Sequence, residues 1–483
     1  MIEFNVFKTW SKIDNNLLRF RKIGFNTTTK EGPEPVTKGI SNHQETTEAK
    51  ITLPEKQFKE RRSLLTELFD DNVHVNGVYK LIILFFSISV LTYILKEFIH
   101  HGRFPMALIL IYNKFGKIDV VLSFWIVNNI LTISMYYCFL FWEKIRQKVA
   151  NTQKWDGFCI IILVTYYVLS FYITSSIINK FDLPFASAMI LSMESVRFLM
   201  KIHAFVRSNV GNVLNKRSDY KNGVYCPPVS KFIYFLYAPT AVYKNEYPRT
   251  ASIRWNFVLY RMLEILAITV FYAICFDNIA KPLFEDSCMN KVTLLDLLIK
   301  ILEFSVPSSV ILIGVFFTLL HSTQNLVGEL LGFGDRMFYS DWWTCTDLQQ
   351  YYKKWNMVIG DWLYTYTYKD INIIMSNTPK TRDFAKLVTI VLSALVHEWI
   401  CTVTTGYFFP IILASMIISA LLCVHLKVQN RTNVKNTIAL LIFIMGSSII
   451  SSLYGLEYFA RENLNMQNNL LPVFLTQNCI SLY

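Results

Sequence analysis

From residue 78 onward, long apolar stretches alternate with short polar links. The apolar runs fall near 78–99, 118–142, 157–178, 183–206, 255–276, 301–330, 386–401, 403–426 and 436–456. A helix needs about 20 mostly apolar residues to cross a hydrocarbon layer roughly 30 Å thick. The runs therefore predict about nine transmembrane helices, with 387–426 divisible in more than one way. Ahead of them, residues 1–76 are polar and hold 12 Lys/Arg and 11 Asp/Glu, and no apolar run follows Met1 as a cleavable leader would require. They predict a cytosolic tail, partly disordered. The end of that tail, Phe58 to Phe69, has apolar residues at helical spacing and predicts a helix on the membrane surface. Between the spans, 335–385 is too polar to cross. It is nevertheless rich in rings, with Trp342, Trp343, Trp355 and Trp362 and six tyrosines from Tyr339 to Tyr368, the composition of helices at headgroup depth. The chain thus divides into a polar tail, 1–76, and a transmembrane unit, 77–483, that includes the interfacial segment 335–385.

Composition agrees with that pattern. Hydrophobic residues make up 53 % of the 483 and charged residues 17 %, against about a quarter charged in soluble domains. A soluble enzyme, a disordered chain and a fibre are excluded, and an all-α polytopic membrane protein remains. The net charge of +12 reads as basic loops beside anionic lipid rather than as nucleic-acid binding, since no recognition module is present. The loop 207–254 carries eight Lys/Arg and two acids, and the links 143–156 and 427–435 are basic too. All three lie on one side if the N-terminus is cytosolic, and the C-terminus is then lumenal. The mildly basic 100–117 loop is an exception. The nine cysteines are scattered with no metal-ligand spacing, and read as buried apolar residues or free thiols.

A few polar residues stand out against this background. His397, followed by Glu398, lies inside an apolar run, where an ionisable group is expensive unless it works or is paired. The plain alternative is a histidine bonded to a neighbouring helix. Imidazole titrates near physiological pH and can take a proton from a hydroxyl, and Glu398 is a loose candidate to orient it. His321 ends another apolar run and reads more readily as structural. His203 sits at a basic membrane boundary. Asp341 lies among the rings of Phe338-Tyr339-Ser340-Asp341-Trp342-Trp343, which aromatic anchoring does not explain. Asn356 follows Trp355, and a neutral amide can donate to a developing oxyanion without burying charge. No GxSxG, P-loop or GxGxxG followed by an acid occurs, which disfavours a covalent serine acyltransferase and a nucleotide-driven pump. Without internal repeats, a transporter built from matched halves is disfavoured as well.

The run Phe333 to Trp343 resembles the FYxDWW signature of the sterol and diacylglycerol acyltransferases in the membrane-bound O-acyltransferase superfamily. His397 within Ser393-Ala394-Leu395-Val396-His397-Glu398 resembles the superfamily's histidine, and Trp355-Asn356 its asparagine. The sterol branch is indicated by Arg197 to Arg207, Tyr247-Pro248-Arg249-Thr250 with Ile253-Arg254-Trp255, Asp361-Trp362-Leu363 and Tyr458-Phe459-Ala460-Arg461. Similarity runs from about Phe58 to the end.

The resemblance implies an endoplasmic-reticulum enzyme with nine transmembrane helices, a buried chamber and a homodimeric or homotetrameric assembly. It would move a fatty acyl group from acyl-CoA to a sterol 3-hydroxyl, with acyl-CoA as co-substrate and no cofactor or metal. Carried over, His397 is the catalytic base and Asn356 its partner at the thioester carbonyl. Lys353, Tyr368, Arg382 and Ser393 match positions lining the acyl-CoA site, Asp341 is the signature's acid, and His321 is a second family histidine. Three positions depart from the family pattern. Thr344 stands where Asn continues the signature, and Gly360 where a histidine precedes Asp361. Leu464 stands near where Cys479 would have its disulfide partner, so that bridge is expected to be absent. Diacylglycerol O-acyltransferase and a non-catalytic sterol-binding membrane protein are the alternatives.

Overall fold

The computed structural model describes residues 54–102, 106–215, 225–289, 291–375, 378–425, 433–466, 472–476 and 479–481. The tail 1–53 and the basic stretches 216–224 and 426–432 lie outside them. The described chain is almost entirely helical. A short α1 (Leu64–Asp71) precedes α2 (Val73–His101), α3 (Met106–Lys114), α4 (Ile118–Arg146), α5 (Thr152–Lys180), α6 (Phe185–Leu214) and α7 (Val229–Tyr237). Next come α8 (Trp255–Phe284) and α10 (Ser305–Leu330), each interrupted by a π turn, with α9 (Leu294–Glu303) between them. Beyond are α11 (Leu348–Trp355), α12 (Met357–Leu363), α13 (Lys369–Ile374), α14 (Pro379–Thr405), α15 (Ile411–His425), α16 (Asn433–Asn463) and α17 (Val473–Thr476). A two-residue parallel pair, β1 (Val292–Thr293) with β2 (Ile480–Ser481), is the one sheet among the described residues.

Among the described residues, seven helices are long and apolar enough to cross a membrane: α2, α3–α4 as one unit, α5, α8, α10, α14 and α16. The two other expected spans differ for physical reasons. Run 183–206 is the helix α6, whose charged groups are paired inside the protein. Arg197 meets Glu194 at 2.7 Å, and the buried Lys201 donates to the carbonyls of Phe235, Ala238 and Thr240 at 2.5–2.7 Å. Much of it is buried among other helices, while Phe185, Ile190 and Met193 near its start stay exposed. Run 403–426 is broken by Gly406, which ends α14 at φ 79°, so α15 starts at Ile411 and has 15 residues, about 22 Å at 1.5 Å per residue.

Two ends of the bundle are distinct. At one end the start of α8 meets the end of α10, where Arg254 pairs with Glu329 at 3.0 Å. At the other, Phe284, Val292, Phe304, Leu456, Phe459, Val473 and Phe474 form an apolar cluster around Cys479. There a disulfide joins Cys288 to Cys479, 191 residues apart. The expectation of an absent bridge is thereby corrected: Leu464 packs at the edge of the same cluster, and the partner comes from the loop after α8. Buried Glu457 fastens the tail to α16 by accepting from the amides of Val473 and Phe474 at 2.7 and 2.9 Å.

The stretch 58–69 is also corrected. Only its second half is helical. Residues 54–63 run extended, with Phe58 packed edge-on against Tyr247 and Phe333. The arm covers protein and not lipid.

Candidate active site

The signature loop leaves α10 already paired on both sides. Arg61 donates its amide to Gly334 O at 3.0 Å and accepts from Arg336 N at 3.2 Å, while Gly334 N donates to Pro248 O at 2.8 Å. A Cβ on Gly334 would stand 3.0 Å from that same Pro248 oxygen, which is why glycine belongs there. Asp335 takes the Arg61 guanidinium at 2.8 and 3.2 Å. Fully buried Glu329 accepts from Arg254 and Arg336.

The following residues brace Asn356. Ser340 N donates to Lys354 O and Met357 N to Phe338 O, each at 2.8 Å. The asparagine is thus held between two backbone bonds to the signature. Its Oδ1 accepts from Ile359 N at 3.1 Å, capping α12. Its Nδ2 group has no partner among the described residues and remains available as a donor.

Asp341 stands outside this pair and acts on its flank. It accepts from Ser340 Oγ at 2.8 Å and Thr344 Oγ1 at 2.6 Å, and pairs with Lys354 at 3.1 Å. Burial pushes its carboxyl up, but these three donors outweigh burial and hold it at about 2. Thr344 both donates to Asp341 and accepts from Lys354 at 3.2 Å, so the hydroxyl does two jobs where the family has an amide. A Cβ at Gly360 would meet nothing within 4 Å; the missing histidine leaves open space and no broken contact. Trp342 packs on Phe316, Trp355 and Phe443 at 4.8–5.4 Å, and Phe338 and Tyr339 are fully buried. The rings of the signature fill the protein interior, and the expectation of headgroup anchors is corrected for Phe338, Tyr339 and Trp342.

His397 sits on α14 and is exposed within the single chain. Its Nδ1 lies 2.7 Å from Ser393 O. A carbonyl only accepts, so Nδ1 carries a proton and, in the neutral ring, Nε2 is the nitrogen with the lone pair; Nε2 has no partner among the described residues. Ser393 Oγ is 3.5 Å from the same Nδ1, at the limit of a hydrogen bond. Glu398 does not orient the histidine: it is buried and accepts from Leu413 N at 3.1 Å, at the start of α15. Asn356 and His397 make no bond to each other. One offers a donor and the other an acceptor.

The other candidates are distributed. Arg382 opens α14, with Ser393 on the same helix. Tyr368, half-buried, stacks on Tyr364 at 5.5 Å in a π turn that packs against α14. Lys353 is exposed in the last turn of α11. Arg382, Lys386, Thr389, Ser393 and His397 recur every three or four residues and share one stripe of α14, about 22 Å long.

His321 belongs to a separate network. It is fully buried, with Nε2 held by Arg261 and Nδ1 2.6 Å from the Tyr339 hydroxyl. Arg261 continues to Glu264 at 2.8 Å, which also accepts from Tyr79 and Ser322. Both ring nitrogens are used. His203 is likewise inside the protein, 3.3 Å from Tyr167 and beside Trp362. No group of three His, Cys, Asp or Glu suited to a metal stands among the described residues.

This arrangement has relatives. The family model described as membrane-bound O-acyltransferase matches residues 218–456, a range that holds the signature, Asn356 and His397. Sterol O-acyltransferase 1 of Cricetulus griseus is 32 % identical over 425 residues, covering 87 % of this chain and 76 % of that protein. The chain belongs to the membrane-bound O-acyltransferase family. Sterol O-acyltransferase 1 of Mus musculus is 31 % identical over 424 residues, 87 % and 77 % of the two chains. Sterol O-acyltransferase 2 of Rattus norvegicus is 32 % identical over 410 residues, 84 % and 77 %. As a member of this family the protein is an acyltransferase that crosses the membrane several times. Sequence reasoning missed Lys354 and the arm residues Lys56 and Arg61, whose ion-pair partners are 13 to 305 residues away; no local pattern announces them.

Proposed function

We propose that the protein transfers a fatty acyl group from acyl-CoA to the 3-hydroxyl of a sterol, forming sterol esters, with His397 as base and Asn356 as oxyanion donor. The observation that carries this is the state of His397: Nδ1–H is committed to Ser393 O, so Nε2 is left as a free acceptor in the family's histidine position. The sterol hydroxyl gives its proton to Nε2 while its oxygen forms a bond to the thioester carbon. Asn356 Nδ2–H donates to the carbonyl oxygen as charge gathers there. The C–S bond then breaks, and the proton on Nε2 passes to the departing thiolate. A thioester is already activated, so base and oxyanion assistance suffice, typically about 10²–10⁴ and 10²–10³ in rate. The α14 stripe suits the co-substrate, with Arg382 and Lys386 toward the CoA phosphates and Ser393 near the acyl thioester; Lys353 and Tyr368 would complete that side.

The disulfide supports a topology. Such bonds persist in oxidising compartments, so the Cys288–Cys479 end belongs in the endoplasmic-reticulum lumen, and the signature end and the N-terminus in the cytosol. A homodimer or homotetramer is the expected assembly.

The test is the purified protein with labelled oleoyl-CoA and, side by side, cholesterol, ergosterol and diacylglycerol. Ester forms with a sterol, and His397→Ala lowers turnover at least a hundredfold with normal expression. Triacylglycerol as the sole product, or retained turnover in the variant, overturns the assignment.

A further inference from the structure

The extended arm ahead of α1 lies across the face of the site. Glu55 meets Lys244 at 3.5 Å, Phe58 wedges against Tyr247 and Phe333, and Arg61 holds Asp335. Further along, Ser63 accepts from Asn325 Nδ2 at 3.0 Å, and Leu65 N donates to the Tyr339 hydroxyl at 3.4 Å. These contacts fix the arm in register. They bring Lys56 Nζ to 2.7 Å from Asp361 Oδ2, with side chains only 13 % and 27 % exposed.

Asp361 is on α12, which Asn356 caps and which runs on through the π turn Tyr364–Tyr368 into α13. The π turn interrupts the regular ladder just after Leu363, so the setting of α12 depends on the contacts made at its two ends. At the first end are the Asn356 cap and the Met357–Phe338 bond. At the second are Trp362 Nε1, which donates to Met200 O at 2.9 Å, and the Lys56–Asp361 pair. We propose that Lys56 is a positioning residue for acyl transfer: by pinning Asp361 it sets the orientation of α12 and so the aim of Asn356 Nδ2. The proposal rests on the reading of Asn356 as the oxyanion donor.

An exposed pair would do little, but this carboxylate is largely taken from water, and Lys56 is its one direct ion-pair partner among the described residues, with Arg61 and Asp335 acting from farther away. Without Lys56 it must tilt toward solvent or draw in water, and α12 moves with it. Displacement of a catalytic group by about 1 Å can lower rates about a hundredfold; with Trp362 still holding, about tenfold is expected.

The experiment uses the full-length purified protein, labelled oleoyl-CoA and cholesterol. Lys56→Met is expected to lower kcat about tenfold, with the KM for oleoyl-CoA and the melting temperature in detergent unchanged. Asp361→Asn should match it, and Lys56→Arg should restore most of the turnover. In an Asn356→Ala background, Lys56→Met should add no further loss, because both act on one amide. The proposal is overturned if Lys56→Met turns over normally while Asn356→Ala is impaired, or if it costs a further tenfold on top of Asn356→Ala. Full turnover by Asn356→Ala alone overturns the underlying reading instead, and the positioning role with it.

Discussion

Replacing His321 with alanine separates structure from chemistry. The imidazole has no exposed surface, and its two nitrogens serve Arg261 and Tyr339. Truncation removes a bond to a charged group, about 1.5–3 kcal/mol, and one to a phenol, about 1 kcal/mol. It also leaves a void between Phe317 and Phe69, whose rings lie 4.6 and 6.5 Å from the imidazole, and emptied cores lose about 2–5 kcal/mol. These contributions overlap, so about 3–5 kcal/mol is expected in total. For a chain of this size, with an unfolding entropy of about 1 kcal/mol/K, that corresponds to a fall in melting temperature of about 3–5 °C. Thermal unfolding in detergent, followed by turnover per folded molecule, measures both quantities. His321→Ala should melt early and, below its transition, turn over within about tenfold of wild type, far from the 10²–10⁴ that loss of a general base removes. His321→Gln, which keeps a donor and an acceptor, should recover much of the stability. A His321→Ala protein that melts normally but has lost a thousandfold in kcat would refute the structural role.

Other consequences are checked as directly. Asp341→Asn should lower the melting temperature by about 1 kcal/mol equivalent, discounted because the side chain is 42 % exposed. Since the folded carboxyl is held at about 2, below its unfolded value near 3.9, its contribution is complete above about pH 4 and fades as pH falls toward 2. Wild type and variant should therefore differ by a constant amount from pH 5 to 8 and converge only in strong acid; divergence near neutrality would count against the assignment. Cys288→Ser or reduction releases a 191-residue closure, worth up to about 5 kcal/mol in the chain-entropy account. Alkylation mapping without reductant should find Cys288 and Cys479 protected, and labelling of either would remove the bridge. Gly455→Ala would place a methyl 2.7 Å from the Phe284 ring and should cost about 1–3 kcal/mol through overpacking, read as earlier melting.

What the sequence disclosed, it disclosed through periodicity and residue type. Runs such as 118–142 and 157–178 are the cores of α4 and α5, because lipid tolerates little else over that length. Run 183–206 falls in one 30-residue helix whose Glu194, Arg197 and Lys201 are satisfied internally, which is how an apolar run comes to carry so many charges. The rings of the signature misled because tryptophan suits a headgroup layer and a packed interior alike, and only the contacts of Trp342 with Phe316 and Phe443 decide. Nothing local could have paired Cys288 with Cys479 or Lys56 with Asp361, because register between distant segments is set by the whole bundle.

The acid of the signature shows why a motif and a mechanism need not share residues. Asp341 is spent on Ser340, Thr344 and Lys354. Yet Ser340 N holds Lys354 O, and Phe338 O holds Met357 N, so whatever stiffens the Ser340–Lys354 corner stiffens the two peptide bonds on either side of Asn356. A carboxylate serves there because one group can accept from three donors at once, and a neutral amide at 341 would offer a single oxygen. The aromatic residues complete the clamp: Trp342 lies against Trp355 at 4.8 Å, directly before the asparagine. On the proposed roles, the signature acts on Asn356 and leaves His397 untouched, since His397 takes its orientation from its own helix through Ser393 O. Damage to the signature should consequently resemble damage to Asn356 in its effect on kcat, and should leave the tautomer of His397 unchanged.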